Sequence, residues 1–351
     1  MRVGIINVTG YAGSELVRLL YHHPEAQITS VTGRSAAGQK LGDVFPHLSD
    51  LDLGIQPELD GSLDLVFSAL PHKASAESVI PLLKDGIKVV DISADFRLRQ
   101  LSQYEEWYEV THPGPQYLEE AVYGLTELNR PEVAQARLVA NPGCYPTSSI
   151  LALAPVVKEG LIELDIVVDS KSGVSGAGRG LSLGTHFSEV NENVMAYSVD
   201  GHRHLPEMTQ ELGKLIPPPA GDGESAPLAL TFLTHLVPMT RGILSSCYAR
   251  LKPDTFSSWE EAKARLRQLY LDFYSGEPFV KITSSPPQTK QTLGNNMCLL
   301  YPTVDVRTGR LIVISCLDNL VKGAAGQAIQ NMNLMFGLPE TMALEALAVY
   351  P

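Results

Sequence analysis

From Arg2 to Asn141, short aliphatic and β-branched runs alternate with segments of helical period. Arg2–Val8 reads as a buried strand, Gly13–His23 sets Leu16, Leu19 and Leu20 on one helical face, and Gln27–Thr32 reads as the next strand. Strands at Asp64–Leu70, Lys88–Ile92 and Arg137–Asn141, with a helix at Ala74–Lys84, continue the series. Strands separated by crossover helices predict a parallel, doubly wound sheet. The pattern then changes. Ile166–Ser170, Leu228–Leu236, Leu244–Leu251, Met297–Val306 and Leu311–Cys316 are strand-like, with one convincing helix among them, Ser258–Tyr274. That predicts a mixed, largely antiparallel sheet flanked by helices. Pro217–Pro227 is expected to be a surface linker, and Leu320–Phe336 is a strong closing helix whose pattern fits packing on either domain. The fold class is α/β: a Rossmann-like dinucleotide-binding domain followed by an α+β domain.

Composition narrows the function. At about 100–200 residues per domain, 351 residues suit two full-sized cores. The formal charge of −12, from 27 basic and 39 acidic residues, argues against nucleic acid and anionic membrane as partners. Any anionic ligand must find local donors. Cys144, Cys247, Cys298 and Cys316 lie far apart, so neither a disulfide framework nor a zinc ribbon is indicated, and a reducing cytoplasm is expected. The apolar stretch at the N-terminus is too short for a signal core or a membrane span.

The first strand runs into Asn7-Val8-Thr9-Gly10-Tyr11-Ala12-Gly13. Glycines at a strand-to-helix turn let the backbone approach a pyrophosphate that sits on the helix's first amides. A G-x-x-G-x-x-G spacing wants glycine at position 7. Asparagine stands there, one of the few residues that tolerate a left-handed backbone. After the second strand, Gly33-Arg34-Ser35 offers a guanidinium and a hydroxyl where an NAD site wants a carboxylate, so NADP(H) is the expected cofactor.

Asn141-Pro142-Gly143-Cys144 precedes an apolar helical run, which places Cys144 near a helix N-terminus. Unpaired amides there favour thiolate over thiol and make a nucleophile at neutral pH. The other cysteines lie in apolar strands and read as packing residues. The imidazole partner is sought in Gly201-His202-Arg203-His204-Leu205-Pro206-Glu207, where the two histidines either share one side of an extended segment or turn apart at a helix start. No third ligand stands at metal spacing, so no metal site is expected. Lys171–Gly180 suits an anion nest, and Asn319, opening the last helix, suits a nicotinamide carboxamide.

Together, Gly10-Tyr11-Ala12-Gly13, Asp91-Ile92-Ser93-Ala94-Asp95-Phe96-Arg97, Asn141–Thr147, Gly201–Glu207 and Asp318–Gly323 resemble the N-acetyl-γ-glutamyl-phosphate reductases of arginine biosynthesis, relatives of aspartate-semialdehyde dehydrogenases. The similarity spans essentially the whole chain. Two positions depart: Asn7 for glycine, and Ser148 where glycine or alanine is usual. The resemblance implies reduction of an acyl phosphate by NADPH through a Cys144 thioester, with His204, or second His202, as acid/base. It implies cofactor contacts from Gly10, Tyr11, Ala12, Gly13, Arg34, Ser35, Ser68, Leu70, Pro71, Gly176 and Asn319, and substrate contacts from Arg203, Arg179 and Arg241. It further implies a discontinuous NADP-binding domain (1–143 and 320–351, the closing helix returning), a catalytic and dimerisation domain (144–319), and a homo-oligomer, dimer or tetramer. The rivals are a sister reductase of carrier-protein-linked aminoadipyl phosphate, whose acidic carrier a charge of −12 would repel, and a non-enzymatic NADP sensor, which would need no nucleophile.

Overall fold

The computed structural model describes residues 1–218, 227–253 and 255–351. They form two compact units: Met1–Gly143 with Leu320–Leu347, and Cys144–Asn319 with Ala348–Pro351. Residues 219–226 of the expected linker lie outside the described residues.

The first unit is built on strands β1 (Arg2–Ile6), β2 (Gln27–Thr32), β3 (Ile55–Gln56), β4 (Leu65–Ser68), β5 (Lys88–Asp91), β6 (Val122–Tyr123) and β7 (Leu138–Ala140), in the order β3-β2-β1-β4-β5-β7-β6. Every pairing is parallel. Val3, Ile5, Leu65, Val66, Phe67, Val89, Val90 and Leu138 are all completely buried, as expected of a parallel sheet covered on both faces. The strand order reverses between β1 and β4, so the loops leaving those strands flank the crevice where doubly wound sheets take their ligands. The first strand stops at Ile6, short of the expected Val8, because Asn7 turns the chain with φ 64°. The helix that follows, Tyr11–Leu20, is capped by Gly10.

The closing segment packs within this unit. Val321–Ala325 winds as a π-helix, and the α-helix Gly326–Met335 continues from it. Polar side chains hold it down. The ammonium of Lys322 lies 2.6 Å from a Glu127 carboxylate oxygen and donates to Gln330 Oε1 at 2.8 Å, with the Lys322 and Glu127 side chains both fully buried. Gln327 donates to Gly124 O and Thr126 Oγ1, and Asn331 donates to Gly124 O and Asn141 Oδ1. Removing one partner of such an ion pair leaves a bare buried charge.

The second unit carries β8 (Ile162–Gly173), β9 (Met195–Tyr197), β10 (Ala229–Val237), β11 (Ile243–Leu251), β12 (Val280–Ile282), β13 (Cys298–Asp305) and β14 (Arg310–Leu317), in the order β12-β13-β14-β11-β8-β10-β9. Two pairings are parallel, β12 with β13 and β8 with β10, and the rest are antiparallel. The helix Cys144–Lys158 lies on this sheet and is buried from Tyr145 to Val157, which suits its apolar run from Ile150 to Val157. Ser148 now has a reason to differ from glycine or alanine. Its hydroxyl lies 2.9 Å from both Ser245 Oγ and Ser315 Oγ, and Ser245 reaches Ser170 at 2.8 Å. Ser170, Ser245 and Ser315 are register partners in β8, β11 and β14, so four buried hydroxyls satisfy one another between helix and sheet. The expected helix at Ser258–Tyr274 forms as Trp259–Phe273, with Ser258 Oγ accepting from the Glu261 amide. The expectation of a single helix among these strands needs correction: Leu205–Gly213 is also helical. Pro206 occupies the first turn, where its missing N–H costs nothing, as the helix-start alternative allows.

Lys322→Met is expected to destabilise the first unit by about 3–5 kcal/mol, and the pair Glu127→Gln/Lys322→Met by much less. Urea denaturation of both variants checks this ordering.

Candidate active site

In the first unit the crevice is framed by the exits of β1, β2 and β4. The amides of Tyr11, Ala12 and Gly13 precede the first bond of their helix, Ser14 N–H to Gly10 O, and so lack helical acceptors. A Cβ on Gly13 would lie 2.4 Å from Asn7 O and 2.7 Å from Val8 Cα, so only glycine lets the helix start press on the turn. Gly33 is similarly confined, its hypothetical Cβ 3.0 Å from Thr9 Cγ2. This close-packed backbone with free amides fits a pyrophosphate. Arg34 and Ser35 stand exposed in a 3-10 turn, Arg34–Ala36, at the exit of β2. At the exit of β4, Ser68 is buried and its hydroxyl lies 2.6 Å from Ser75 Oγ, while Leu70 is half-buried and Pro71 exposed. Two buried carboxylates organise that exit. Asp95 accepts from the amides of Lys73, Ser75 and Ala76, and Asp91 accepts from the hydroxyls of Ser75 and Ser93. Burial, and then the charge of Asp95, push the Asp91 carboxyl up to about 6.

In the second unit Cys144 is the first residue of its helix and the only partly exposed one in the stretch to Val157. Its neighbour Tyr145 turns into an aromatic cluster. The Tyr145 and Tyr197 hydroxyls are 2.8 Å apart. The His202 ring meets Tyr145, Tyr197 and Phe232 edge-on at centroid distances of 5.5, 5.7 and 5.4 Å. The His204 ring lies 4.8 Å from His202 and 6.0 Å from Tyr145. Burial is the main cause raising both tyrosines, Tyr197 to about 12, and the nearby Cys144 charge adds to it in each case. The two histidines differ. His202 Nδ1 accepts the His204 N–H at 3.1 Å, and burial, then Arg203, push its pKa down to about 4. His202 is therefore neutral near pH 7, with its ring hydrogen on Nε2. His204 caps the helix Leu205–Gly213, so the helix-start alternative is realised, yet the two rings stay together.

The glycine-rich loop follows β8. Ser172, Gly173 and Ser175 are buried, and the chain then exposes Gly176, Ala177, Gly178 and Arg179, with Gly178 at φ 82°. Asn319 is buried against it: its Oδ1 accepts from Gly242 N–H at 2.7 Å and its Nδ2 donates to Ser175 Oγ at 2.9 Å. A Cβ on Gly176 would lie 3.7 Å from that Nδ2, so these two expected cofactor residues are neighbours. One hydrogen of the Asn319 amide remains beyond the bond to Ser175. Arg241 reaches the buried Asp318 carboxylate at 3.3 Å, which also accepts from Gly294 N–H. Arg203 is exposed between the two histidines.

Residues 2–136 match the family profile "Semialdehyde dehydrogenase, NAD binding domain" and residues 144–319 match "Semialdehyde dehydrogenase, dimerisation domain". N-acetyl-gamma-glutamyl-phosphate reductases from Dehalococcoides mccartyi and Geobacter metallireducens are 55% and 48% identical to the chain, covering all of it and 99% and 100% of their own lengths. The chain belongs to the N-acetyl-γ-glutamyl-phosphate reductases, within the semialdehyde dehydrogenase family. Among solved structures, aspartate semialdehyde dehydrogenase II of Vibrio cholerae, complexed with ASA, superposes with a TM-score of 0.70 at 16% identity, over 96% of this chain and 98% of that one. The Candida albicans enzyme with NADP gives 0.67 at 17% identity, over 95% and 98%. At those identities the likeness speaks for the fold.

For this reductase the structure gathers the expected residues into two groups. Gly10, Tyr11, Ala12, Gly13, Arg34, Ser35, Ser68, Leu70 and Pro71 stand at strand exits of the first unit; Cys144, His202, His204, Arg203, Gly176, Arg179, Arg241 and Asn319 belong to the second. Sequence reasoning assigned no role to Tyr145, Tyr197, Asp91 or Asp95. The carboxylates stood inside a quoted motif, Asp91–Arg97, whereas nothing in the sequence pairs Tyr145 with a residue 52 positions away. An NMR titration is expected to show a His202 midpoint near 4; a midpoint near the ordinary ~6.5 would contradict the neutral, Nδ1-accepting ring.

Proposed function

We propose that this reductase converts N-acetyl-glutamyl 5-phosphate to N-acetyl-glutamate 5-semialdehyde and phosphate with NADPH, in arginine biosynthesis. The observation that carries the reading is Cys144 at the start of a buried helix whose next residue, Tyr145, packs against two histidines, one of them held neutral. The helix's first amides favour the thiolate, which attacks the acyl carbon; the carbon–oxygen bond to phosphate breaks and a thioester forms on Cys144. Bound NADPH supplies a hydride to the thioester carbonyl. The resulting thiohemiacetal oxygen is balanced by local donors, and its collapse releases the aldehyde and restores Cys144.

His204 is the proton carrier, stabilising the thiolate and protonating developing oxyanions, because His202 is locked as a neutral donor through its bond from the His204 amide. His202, packed among Tyr145, Tyr197 and Phe232, orients its neighbour. Arg203, Arg179 and Arg241 receive the substrate's phosphate and carboxylate. Tyr11, Ala12 and Gly13 amides at the turn opened by Gly10 receive the pyrophosphate, Arg34 and Ser35 the 2′-phosphate, Ser68, Leu70 and Pro71 the face of the crevice beyond β4, and Gly176 with Asn319 the nicotinamide. No helix among the described residues is long and apolar enough to cross a membrane, and a cytoplasmic homo-oligomer formed through the second unit suits a biosynthetic enzyme whose second unit matches a dimerisation domain.

Cys144→Ser is expected to lose turnover by at least ~10³-fold while NADPH still binds; near-normal turnover would end the thioester mechanism. Arg34→Asp is expected to shift the kcat/KM ratio from NADP toward NAD, and an unchanged ratio would remove the role given to Arg34. A steady-state assay in the phosphorylating direction should favour N-acetyl-glutamate semialdehyde over its one-carbon-longer homologue; the opposite preference would point to the aminoadipyl branch.

A further inference from the structure

Asn7 holds a backbone that glycine would adopt without strain, φ 64°. Glycine there would add no contact. Asn7 adds one: its Nδ2 donates to Ala69 O at 2.8 Å, at the first residue beyond β4. Its own N–H donates to Thr32 Oγ1, at the end of β2, at 3.4 Å, and its carbonyl accepts from Gly10 N–H at 3.2 Å. One residue thus ties together the exits of β1, β2 and β4, on both sides of the point where the strand order reverses. Gly10 belongs to the same arrangement, since a Cβ there would sit 3.2 Å from Asn7 Nδ2.

We propose that Asn7 is a cofactor-positioning residue, whose side-chain amide braces the loop after β4 against the glycine turn and holds the two walls of the dinucleotide crevice in place before NADPH arrives. The inference rests on the reading of this crevice as the NADPH site. An unbraced loop has to be ordered as the cofactor binds, and that ordering lowers affinity. The backbone conformation alone is not the function of Asn7; the amide bridge is.

The test uses the full-length enzyme and measures the NADPH dissociation constant, the KM for N-acetyl-glutamate semialdehyde and the rate of Cys144 alkylation by iodoacetamide. Asn7→Gly keeps the backbone and removes the bridge; it is expected to weaken NADPH about fivefold, the equilibrium equivalent of one neutral hydrogen bond, with the other two quantities unchanged. Asn7→Asp keeps the shape but sets a carboxylate oxygen against Ala69 O, and is expected to weaken NADPH more than the glycine variant does. Unchanged NADPH affinity in Asn7→Gly, with affinity lost in Arg34→Asp, overturns the role of Asn7 and leaves the crevice reading standing. Unchanged affinity in both overturns the two together. An equal loss in NADPH affinity and in Cys144 alkylation overturns the proposal in favour of a general structural role.

Discussion

A chain carrying −12 that handles a dinucleotide and an acyl phosphate must draw its positive potential locally, from backbone amides at helix starts and from a few arginines. That constraint explains where glycine is compulsory. At Gly13 a side chain would collide with the carbonyl of Asn7, and the reward for the close approach is a helix start whose first amides have no helical acceptor. The same constraint places Cys144 as the first residue of its helix, at the positive end of the helix dipole, a position that favours a thiolate. At the helix Ser75–Lys84 the first amides are spent internally on Asp95, so its start supports the loop beyond β4 instead of receiving a ligand.

Buried polar groups do the remaining placement. The closing helix carries Lys322, Gln327, Gln330 and Asn331, all buried, and each finds a partner in the first unit. The helix that begins at Cys144 is fixed to its sheet by Ser148 among three serines. Such groups are costly to bury unless paired, so they discriminate against any other packing of the same apolar surfaces.

Much of this was legible in the sequence. Short runs of aliphatic and β-branched residues located β1, β2, β4, β5 and most of the second sheet. The tolerance of asparagine for a left-handed backbone was readable at Asn7, and the structure has it there. Of the two- and three-residue strands, β7 was read within Arg137–Asn141, whereas β3, β6, β9 and β12 were not. At Leu205 the sequence left an extended segment and a helix start both open, and the structure has the helix, with Pro206 in its first turn. The choice between His202 and His204 was open in sequence, since it depends on a backbone hydrogen bond between neighbours and on aromatic rings from distant segments. Serine at 148 looked like a mere departure until its hydroxyl partners on β11 and β14 came into view.

The central claim is that Cys144 carries the acyl group. Intact and peptide mass spectrometry of the enzyme mixed with N-acetyl-glutamyl 5-phosphate, in the absence of NADPH, reads this directly. The account predicts a hydroxylamine-labile N-acetylglutamyl adduct on the peptide containing Cys144, lost on addition of NADPH. An adduct on another residue, or turnover with no adduct at Cys144 under any quench, would contradict it.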